Sequence, residues 1–219
     1  MHKVVCICDL VPRIETRTRL VVIMHQLEAR KTTNTGHLAL RCLPNSEKVV
    51  RGQHEPLSQA PLWPETHQPV LLFPAPGAQP MHVYAAGDKP VALIVPDGTW
   101  SQAARARKRI PCLEGVPAAI VASDGPSLYR LRTANEPGQV CTLEAIALAL
   151  EVLEGSRGSK VRLQLEHLLR VMVERTLWTR GALAPSEVTG GIPAGARVDR
   201  PWELADLDPA DGSSETKPD

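Results

Sequence analysis

The sequence predicts an α/β protein with a mainly parallel sheet that is covered by helices on both faces. Unbroken apolar runs that contain β-branched residues indicate strands buried on both sides, as in parallel sheets. These runs alternate with amphipathic segments, which is the order of repeated βα units. The 20 prolines among 219 residues favour a loop-rich chain over a helical bundle.

The predicted elements follow one another along the first 181 residues. Strands are predicted at residues 17–26, 68–77, 89–98 and 117–125, and helices at 32–43, 100–109, 142–155 and 159–181. A Thr or Asn is expected to cap the first helix, and Thr142 the third, with Glu144 in its first turn. Ligands of parallel sheets bind at the carboxyl ends of the strands, so residues 97–100 should lie at the ligand edge.

Charge divides the chain into a basic body and an acidic tail. Residues 199–219 carry seven acids against two bases, whereas the other 198 residues carry 23 bases against 17 acids. A basic body suits an anionic partner such as nucleic acid, although ordinary solvated surfaces also carry such a charge. We expect one domain over residues 1–183 and a Pro-, Gly- and acid-rich tail over 184–219 that is at least partly disordered.

The five cysteines predict free thiols in a reducing compartment. Their number is odd, and the start MHKVVCICDLVPR is too short and too quickly charged for a secretion signal. No apolar run reaches the ~20 residues of a membrane span, so we expect a cytoplasmic protein without a membrane partner. Cys6 and Cys8 form one Cys-x-Cys pair, whereas structural zinc normally needs four ligands. His25 or Cys42 could complete such a site, but free thiols fit the pattern better.

The stretch DGTW, residues 97–100, has two interpretations. In a turn, Asp97 accepts local hydrogen bonds, Gly98 adopts the backbone φ angle that the turn needs, and Thr99 caps the next helix. In a site, Asp97 is a carboxylate at a strand end that can act as a base, with Trp100 beside it. The chain has no GxGxxG, Walker, HExxH or GxSxG sequence, which removes the dinucleotide, P-loop, zincin and serine-hydrolase classes.

Basic residues around this stretch form a candidate RNA surface. The candidates are Arg105, Arg107, Lys108, Arg130 and Arg132, with His25 and Lys31 in addition. Each cation that neutralises a phosphate releases counterions and so favours binding. The same residues also fit the solvated face of a helix, and His25 fits a capping or salt-bridged residue.

In combination, these motifs resemble the DTW-domain family, whose Asp-x-Thr-Trp signature matches residues 97–100. The resemblance continues in order through CICDLVPRIETRT, VVIMHQLEARKTTNTG, LPNSEKVVRG, LLFP, PDGTWSQA, SLYRLR and CTLEAIALAL. It covers residues 6–150.

The resemblance implies a tRNA-uridine aminocarboxypropyltransferase that uses S-adenosylmethionine. Such enzymes transfer the 3-amino-3-carboxypropyl group to the uracil nitrogen between the two carbonyls and release methylthioadenosine. A SPOUT-like fold with a trefoil knot is also implied. Asp97 would be the catalytic base, and Trp100 would pack against the sulfonium. The other implied cofactor contacts are Asn45, Ser46, Leu72, Pro74, Leu93, Gly98, Thr99 and Thr142, taken as flanking the carboxyl ends of the strands.

One feature departs from the family pattern. Members often carry an upstream Cys-x-x-Cys that completes a zinc ribbon with the Cys-x-Cys, and this chain starts too late to contain it. Either the true start lies upstream or this branch lost the ribbon, which leaves ribbon-assisted RNA binding open; we expect no bound zinc. Two other functions stay open, namely a non-catalytic RNA-binding or assembly factor and a SPOUT-like RNA methyltransferase.

Overall fold

The computed structural model describes residues 3–52, 60–123, 125–131 and 138–197. Within them, six parallel strands form one sheet in the order β2-β1-β5-β3-β6-β4. The strands are β1 Arg19–His25, β2 Ser46–Arg51, β3 Gln68–Leu72, β4 Gln79–Pro80, β5 Val91–Asp97 and β6 Ala118–Ile120. The predicted α/β class with a parallel sheet is confirmed.

Helices cover both faces of this sheet. They are α1 Gln26–Ala29, α2 Thr35–Cys42, α3 Trp100–Arg109, α4 Thr142–Leu153 and α5 Gly158–Thr179. Alternate residues of β1 pack on opposite sides, with Leu20, Val22 and Met24 against α2, α4 and α5. Val21 and Ile23 pack on the α3 side. Both faces of the strand are thus buried, which explains its unbroken apolar sequence. No helix in the described ranges is both long and apolar enough to cross a membrane.

The predicted strands and helices are present, with bounds that differ by a few residues. The sequence prediction missed β2, because this strand lies at the sheet edge and its sequence SEKVVR is half-exposed and charged. It also missed the two-residue β4. The predicted cap at Thr142 is wrong, since Cys141 is the N-cap of α4 and Thr142 is the first helical residue.

Part of the predicted tail packs against the body. After a 3₁₀ turn at Pro185–Glu187, Val188 is buried in a small cluster with Val5 and Trp178. The Thr189 N–H donates to the Oε2 of Glu174 in α5 at 2.7 Å. The domain boundary at residue 183 stays a prediction. Residues 198–219, which include the segment expected to be disordered, lie outside the described residues.

Candidate active site

A cavity of about 720 Å³ opens at the carboxyl edge of the sheet. Its volume lies within the ~300–1,000 Å³ that is typical of small-molecule sites. Strands β3, β5 and β6 end in its wall, and helices α2, α3 and α4 begin there. The strand-end wall consists of residues 72–74, 95–100 and 119–121. Residues 97–100 therefore lie at the predicted edge.

Asp97 is fixed inside this cavity by side chains from two helices. Its Oδ2 accepts a hydrogen bond from Asn34 Nδ2 and its Oδ1 accepts one from Thr142 Oγ1, both at 2.6 Å. Asn34 is the N-cap of α2, Thr142 begins α4, and Asp97 is only 7% exposed. A carboxylate offers about four lone-pair sites, so each oxygen keeps capacity for a further donor. The arrangement presents a charged acceptor in a defined orientation.

Gly36 allows the first turn of α2 to lie directly against this carboxylate. A Cβ at Gly36 would lie 2.8 Å from Asp97 Oδ2 and 3.1 Å from its Cγ. It would also lie 3.2 Å from Asn34 Oδ1, which accepts the His37 N–H at 2.8 Å as the helix cap. Any side chain at Gly36 would therefore displace the carboxylate or its partner. No local sequence pattern marks this glycine.

The helix that follows Asp97 begins with a capping box. Thr99 Oγ1 accepts the Gln102 N–H at 3.3 Å, and Gln102 Oε1 accepts the Thr99 N–H at 2.8 Å. The predicted capping role of Thr99 is confirmed. The expected role of Gly98 is wrong, because its φ is not positive. A Cβ at Gly98 would instead lie 2.7 Å from Gln102 Oε1, so this glycine makes room for the capping box.

Trp100 lies open at the rim of the cavity. The residue is 54% exposed, and its ring centroid lies 6.0 Å from that of Phe73, with 49° between the ring planes. Both residues line the cavity. An aromatic pair of this kind offers apolar surface and π-faces to a planar base or to a cation.

A buried carboxylate holds the loop between β6 and α4 against the cavity. Glu144 Oε1 accepts the Leu128 N–H, and its Oε2 accepts the Ser127 hydroxyl, both at 2.6 Å. These bonds position Tyr129, whose hydroxyl donates to the Thr33 carbonyl at 3.1 Å and which lines the cavity. The SLYRLR motif thus supplies a cavity residue. From the sequence, Glu144 is predicted only to lie in the first turn of a helix.

Cys141 also lines the cavity, but its thiol is not suited to nucleophilic catalysis. Burial, followed by the negative charge of Glu144, raises the pKa of Cys141 to about 12. The thiolate is the reactive form of cysteine, and this thiol stays protonated at neutral pH. Among the described residues, the carboxyl side chains that line the cavity are those of Asp97 and Glu28.

Six residues that were predicted to contact the cofactor line this cavity, namely Leu72, Pro74, Gly98, Thr99, Trp100 and Thr142. The expected location of three others is wrong. Asn45 and Ser46 lie at the amino-terminal start of β2, at the opposite edge of the sheet, because β2 begins at Ser46. Leu93 is fully buried in the interior of β5. None of the three lines the cavity among the described residues.

Three of the basic RNA candidates have partners within the protein. His25 caps α1 by accepting the N–H of residue 27 on its Nδ1 at 3.2 Å. Lys31 pairs with the Glu28 carboxylate at 2.5 Å. Arg130 pairs with the Glu174 carboxylate at 3.8 Å. Within the described part of the chain, none of the three basic residues lines the cavity.

The candidates on α3 are exposed to a similar degree, and the Arg105 guanidinium donates to the Ser101 carbonyl at 3.1 Å and to the Ser101 hydroxyl at 2.7 Å. Arg105 and Lys108 are exposed, and Arg107 is half-buried. Burial and, next, the positive charge of Arg109 at the end of α3 lower the pKa of Arg51 in β2. The remaining candidate, Arg132, lies outside the described residues.

Cys6 and Cys8 lie together on the surface. The Cys8 N–H donates to Cys6 Sγ at 3.4 Å, and a side-chain hydrogen bond from Cys8 is the main cause of the lowered pKa of Cys6. In the ranges that the structure describes, no group of three or more His, Cys, Asp or Glu residues is arranged to hold a metal ion. The expectation that the protein binds no zinc stays a prediction.

Comparison with known proteins places the chain in a family. The family model described as the DTW domain matches residues 1–177. The chain belongs to the DTW-domain family. It is 29% identical over 158 residues to tRNA-uridine aminocarboxypropyltransferase 2 of Drosophila melanogaster, which covers 69% of this chain and 63% of that protein. It is 26% identical over 195 residues to the protein of the same name from Macaca fascicularis, which covers 76% of this chain and 65% of that protein.

The chain thus spans less than two thirds of the length of these curated relatives. No solved structure matches the chain. The resemblance inferred from the motifs is confirmed at the level of the family.

Proposed function

We propose that this protein transfers the 3-amino-3-carboxypropyl group of S-adenosylmethionine to the ring nitrogen of a uridine in tRNA. Membership of the DTW-domain family and the printed names of the two relatives support the proposal. The cavity adds a site of suitable volume at the carboxyl edge of the sheet. The SPOUT-like knot and the cytoplasmic location stay predictions.

The observation that carries the proposal is the placement of a fixed carboxylate beside an open indole in one cavity. Asn34 and Thr142 restrain Asp97, so that its oxygens keep one orientation toward a bound base. Trp100 presents a ring on which a nucleotide base or the cationic donor can pack. The acid and the aromatic surface are two features that the proposed transfer would use.

The residues of the cavity fit S-adenosylmethionine, which supplies an electrophilic carbon bonded to a sulfonium sulfur. Trp100 and Phe73 would face the sulfonium, and a cation over an aromatic ring contributes roughly 0.5–2 kcal/mol. Backbone N–H groups at the start of α4, near Thr142, would hold the methionine carboxylate. Leu72 and Pro74 add an apolar wall.

The proposed role of Asp97 is to accept the proton of the uracil N–H. The nitrogen attacks the carbon next to sulfur, a C–N bond forms and the C–S bond breaks. The electron pair of that bond goes to sulfur, which leaves as neutral methylthioadenosine. Asp97 has acceptor capacity beyond its two present hydrogen bonds, and a positioned base of this kind contributes about 10²–10⁴ in rate.

The test is an assay with purified protein, S-adenosylmethionine and unmodified tRNA. We expect a mass gain of one aminocarboxypropyl group on a uridine, together with stoichiometric release of methylthioadenosine. Transfer of a methyl group alone would reject the proposal in favour of a SPOUT-like methyltransferase. Omission of the donor is the control for modification already present in the tRNA.

Calorimetry separates the transferase from a non-catalytic RNA-binding factor. A transferase binds S-adenosylmethionine in the cavity, and Leu72→Trp, which adds bulk to the cavity wall, should weaken that binding. An RNA-binding factor that lacks this activity would show no heat of donor binding with the wild-type protein. The absence of heat with the wild-type protein would reject the transferase, and the protein would then share only its fold with such enzymes.

A further inference from the structure

A second depression lies between α2 and the edge strand β2. This groove, with a volume of about 570 Å³, is here called the α2–β2 groove. It is lined by Ile7, Thr32, Asn34, His37, Leu38, Leu40, Arg41, Ser46, Lys48 and Met172. Ser46, which was expected to contact the cofactor, lies here instead.

The α2–β2 groove collects basic groups without acidic ones. Arg41 and Lys48 are exposed, and His37 stands one helical turn before Arg41 on α2. No Asp or Glu among the described residues lines the groove. The neighbouring Glu47 points to the other face of β2, where its carboxylate pairs with Arg19 at 2.6 Å.

The two exposed cations of the groove lack an acidic partner among the residues that the structure describes. The only described polar contact of Arg41 is a long one, from its guanidinium nitrogen to Cys8 Sγ at 3.6 Å. These residues differ in this respect from Lys31 and Arg130, whose charges are paired within the protein. An unpaired basic groove favours a negatively charged partner.

The groove adjoins the candidate active-site cavity at Asn34. This residue lines both depressions and donates the hydrogen bond to Asp97 Oδ2 at 2.6 Å. A molecule that fills the groove therefore lies next to whatever the cavity holds. A polynucleotide has this form, because phosphate groups continue on both sides of any one nucleotide. A free phosphate ion would occupy only a small part of 570 Å³.

We propose that the α2–β2 groove binds the phosphodiester backbone of the RNA next to the nucleotide in the cavity, with Arg41 and Lys48 as the cationic contacts. This inference rests on the proposed function. The hydroxyl groups of Thr32 and Ser46 supply further polar groups along the groove, whereas the Nε2 of His37 already contacts the Ala29 carbonyl at 3.0 Å. Phosphate contacts of this kind fix the register of the RNA without reading its sequence.

The test is the double variant Arg41→Gln/Lys48→Gln, titrated with unmodified tRNA over a range of salt concentrations. At low salt the dissociation constant should rise about five- to thirty-fold, since each exposed charge contact contributes modestly. The slope of log K against log salt should fall in magnitude by about 1.4–1.8, because two phosphate contacts are lost. The KM for tRNA should rise, while kcat at saturating tRNA stays near the wild-type value.

The matched control is Lys160→Gln/Arg170→Gln, which removes the same charge from exposed positions on α5 outside the groove. This variant should keep the wild-type slope. Donor binding by calorimetry and the unfolding temperature should match the wild type in both variants, which separates loss of RNA contact from loss of fold.

Three results would overturn the inference. The first is an unchanged salt slope and tRNA affinity in the groove variant while the wild type still modifies tRNA, which rejects the groove and leaves the proposed function intact. The second is an equal effect of the control variant, which would show only non-specific charge. The third is tight binding of inorganic phosphate that depends on Arg41 and Lys48 while tRNA binding does not, which would indicate a site for a free anion.

Discussion

The two edges of the sheet use similar polar side chains in different ways. At the amino edge, Glu154 accepts the backbone N–H groups of Arg17 at 3.1 Å and Thr18 at 2.9 Å. Asn45 donates to the carbonyls of Thr16 at 3.3 Å and Thr18 at 3.2 Å. These hydrogen bonds join side chains to the backbone of residues 16–18 and so fix the segment that leads into β1.

At the carboxyl edge, Asp97 instead contacts two side chains, those of Asn34 and Thr142, and all three line the cavity. The difference shows what distinguishes a candidate site from hydrogen bonds that only stabilise the fold. In both places a carboxylate has its hydrogen-bond partners. Only at the carboxyl edge does the carboxylate keep access to a space that a ligand can fill.

The largest expected effect is that of Asp97→Asn. Turnover should fall by about 10²–10⁴, because the amide cannot accept the uracil proton as a carboxylate does. Donor affinity should stay within a few-fold of the wild type, since the side chain keeps its size. The measurement is single-turnover transfer to unmodified tRNA, with calorimetry for the donor.

The matched control is Glu154→Gln at the amino edge. It should lower the free energy of unfolding by about 1 kcal/mol through a weakened hydrogen bond, and leave kcat unchanged. Unchanged turnover in Asp97→Asn would reject Asp97 as the base. A large loss of turnover in Glu154→Gln would contradict the distinction between the two edges.

A smaller effect is expected from Gly36→Ala. The added methyl would lie 2.8 Å from Asp97 Oδ2, so the carboxylate must move, and a misplacement of about 1 Å can cost on the order of 10²-fold in rate. Gly125→Ala is the control, because a Cβ there meets no atom within 4 Å and the φ is not positive. Equal activity of the two variants would show that the orientation of Asp97 does not matter.

Replacing Trp100 should affect ligand binding more than stability. Trp100→Ala removes an aromatic surface that is 54% exposed, so the free energy of unfolding should change by less than about 0.5 kcal/mol. Loss of one stacked ring should weaken donor or tRNA binding by about 1–2 kcal/mol. Trp100→Phe should recover part of the affinity. The control is Leu163→Ala, which removes a 65% exposed apolar side chain from α5, outside the cavity; an equal loss of affinity there would contradict the assignment.

Sequence patterns predicted the strands with both faces buried, since β1 and β5 are apolar and buried over residues 20–24 and 91–95. They did not predict β2, because an edge strand with one exposed side carries charges. Asn45 and Ser46 are therefore predicted at the carboxyl edge, whereas the structure places them at the amino start of β2. The trefoil knot implied by the resemblance is not tested by the strand order.

The sequence predicted that Asp97 and Trp100 belong to the candidate site. It did not predict which residues orient Asp97. Asn34 lies 63 positions before Asp97, and Thr142 lies 45 positions after it. No local pattern relates residues at such separations, because their contact depends on how three segments meet at the sheet edge. Thr142 had the signature of a helix cap, and its hydroxyl instead binds Asp97.

The smallest expected effect is a difference in the rates at which the cysteine thiols are alkylated. These rates distinguish a thiol that is buried in the core from one that a reagent can reach. Burial raises the pKa of Cys42, near the amino edge, and of Cys141, in the cavity, to about 12 in each case. The pKa of Cys6 is lowered mainly by its hydrogen bond with Cys8, so a larger fraction of this exposed thiol is thiolate at a given pH. At pH 7.5, iodoacetamide should therefore modify Cys6 well before the other two.

Raising the pH should distinguish the remaining pair, because the thiolate fraction of a group with a raised pKa increases as the pH approaches that value. Cys141 is partly exposed to the cavity, whereas Cys42 is fully buried. At pH 9.5, we expect Cys141 to react slowly in the folded protein and S-adenosylmethionine to slow it further, while Cys42 reacts only on unfolding. Peptide mass spectrometry after timed labelling measures all three rates. Equal labelling of Cys42 and Cys141, or no protection of Cys141 by the donor, would contradict a ligand cavity at the carboxyl edge, since only a cavity gives reagent and donor access to the same buried thiol.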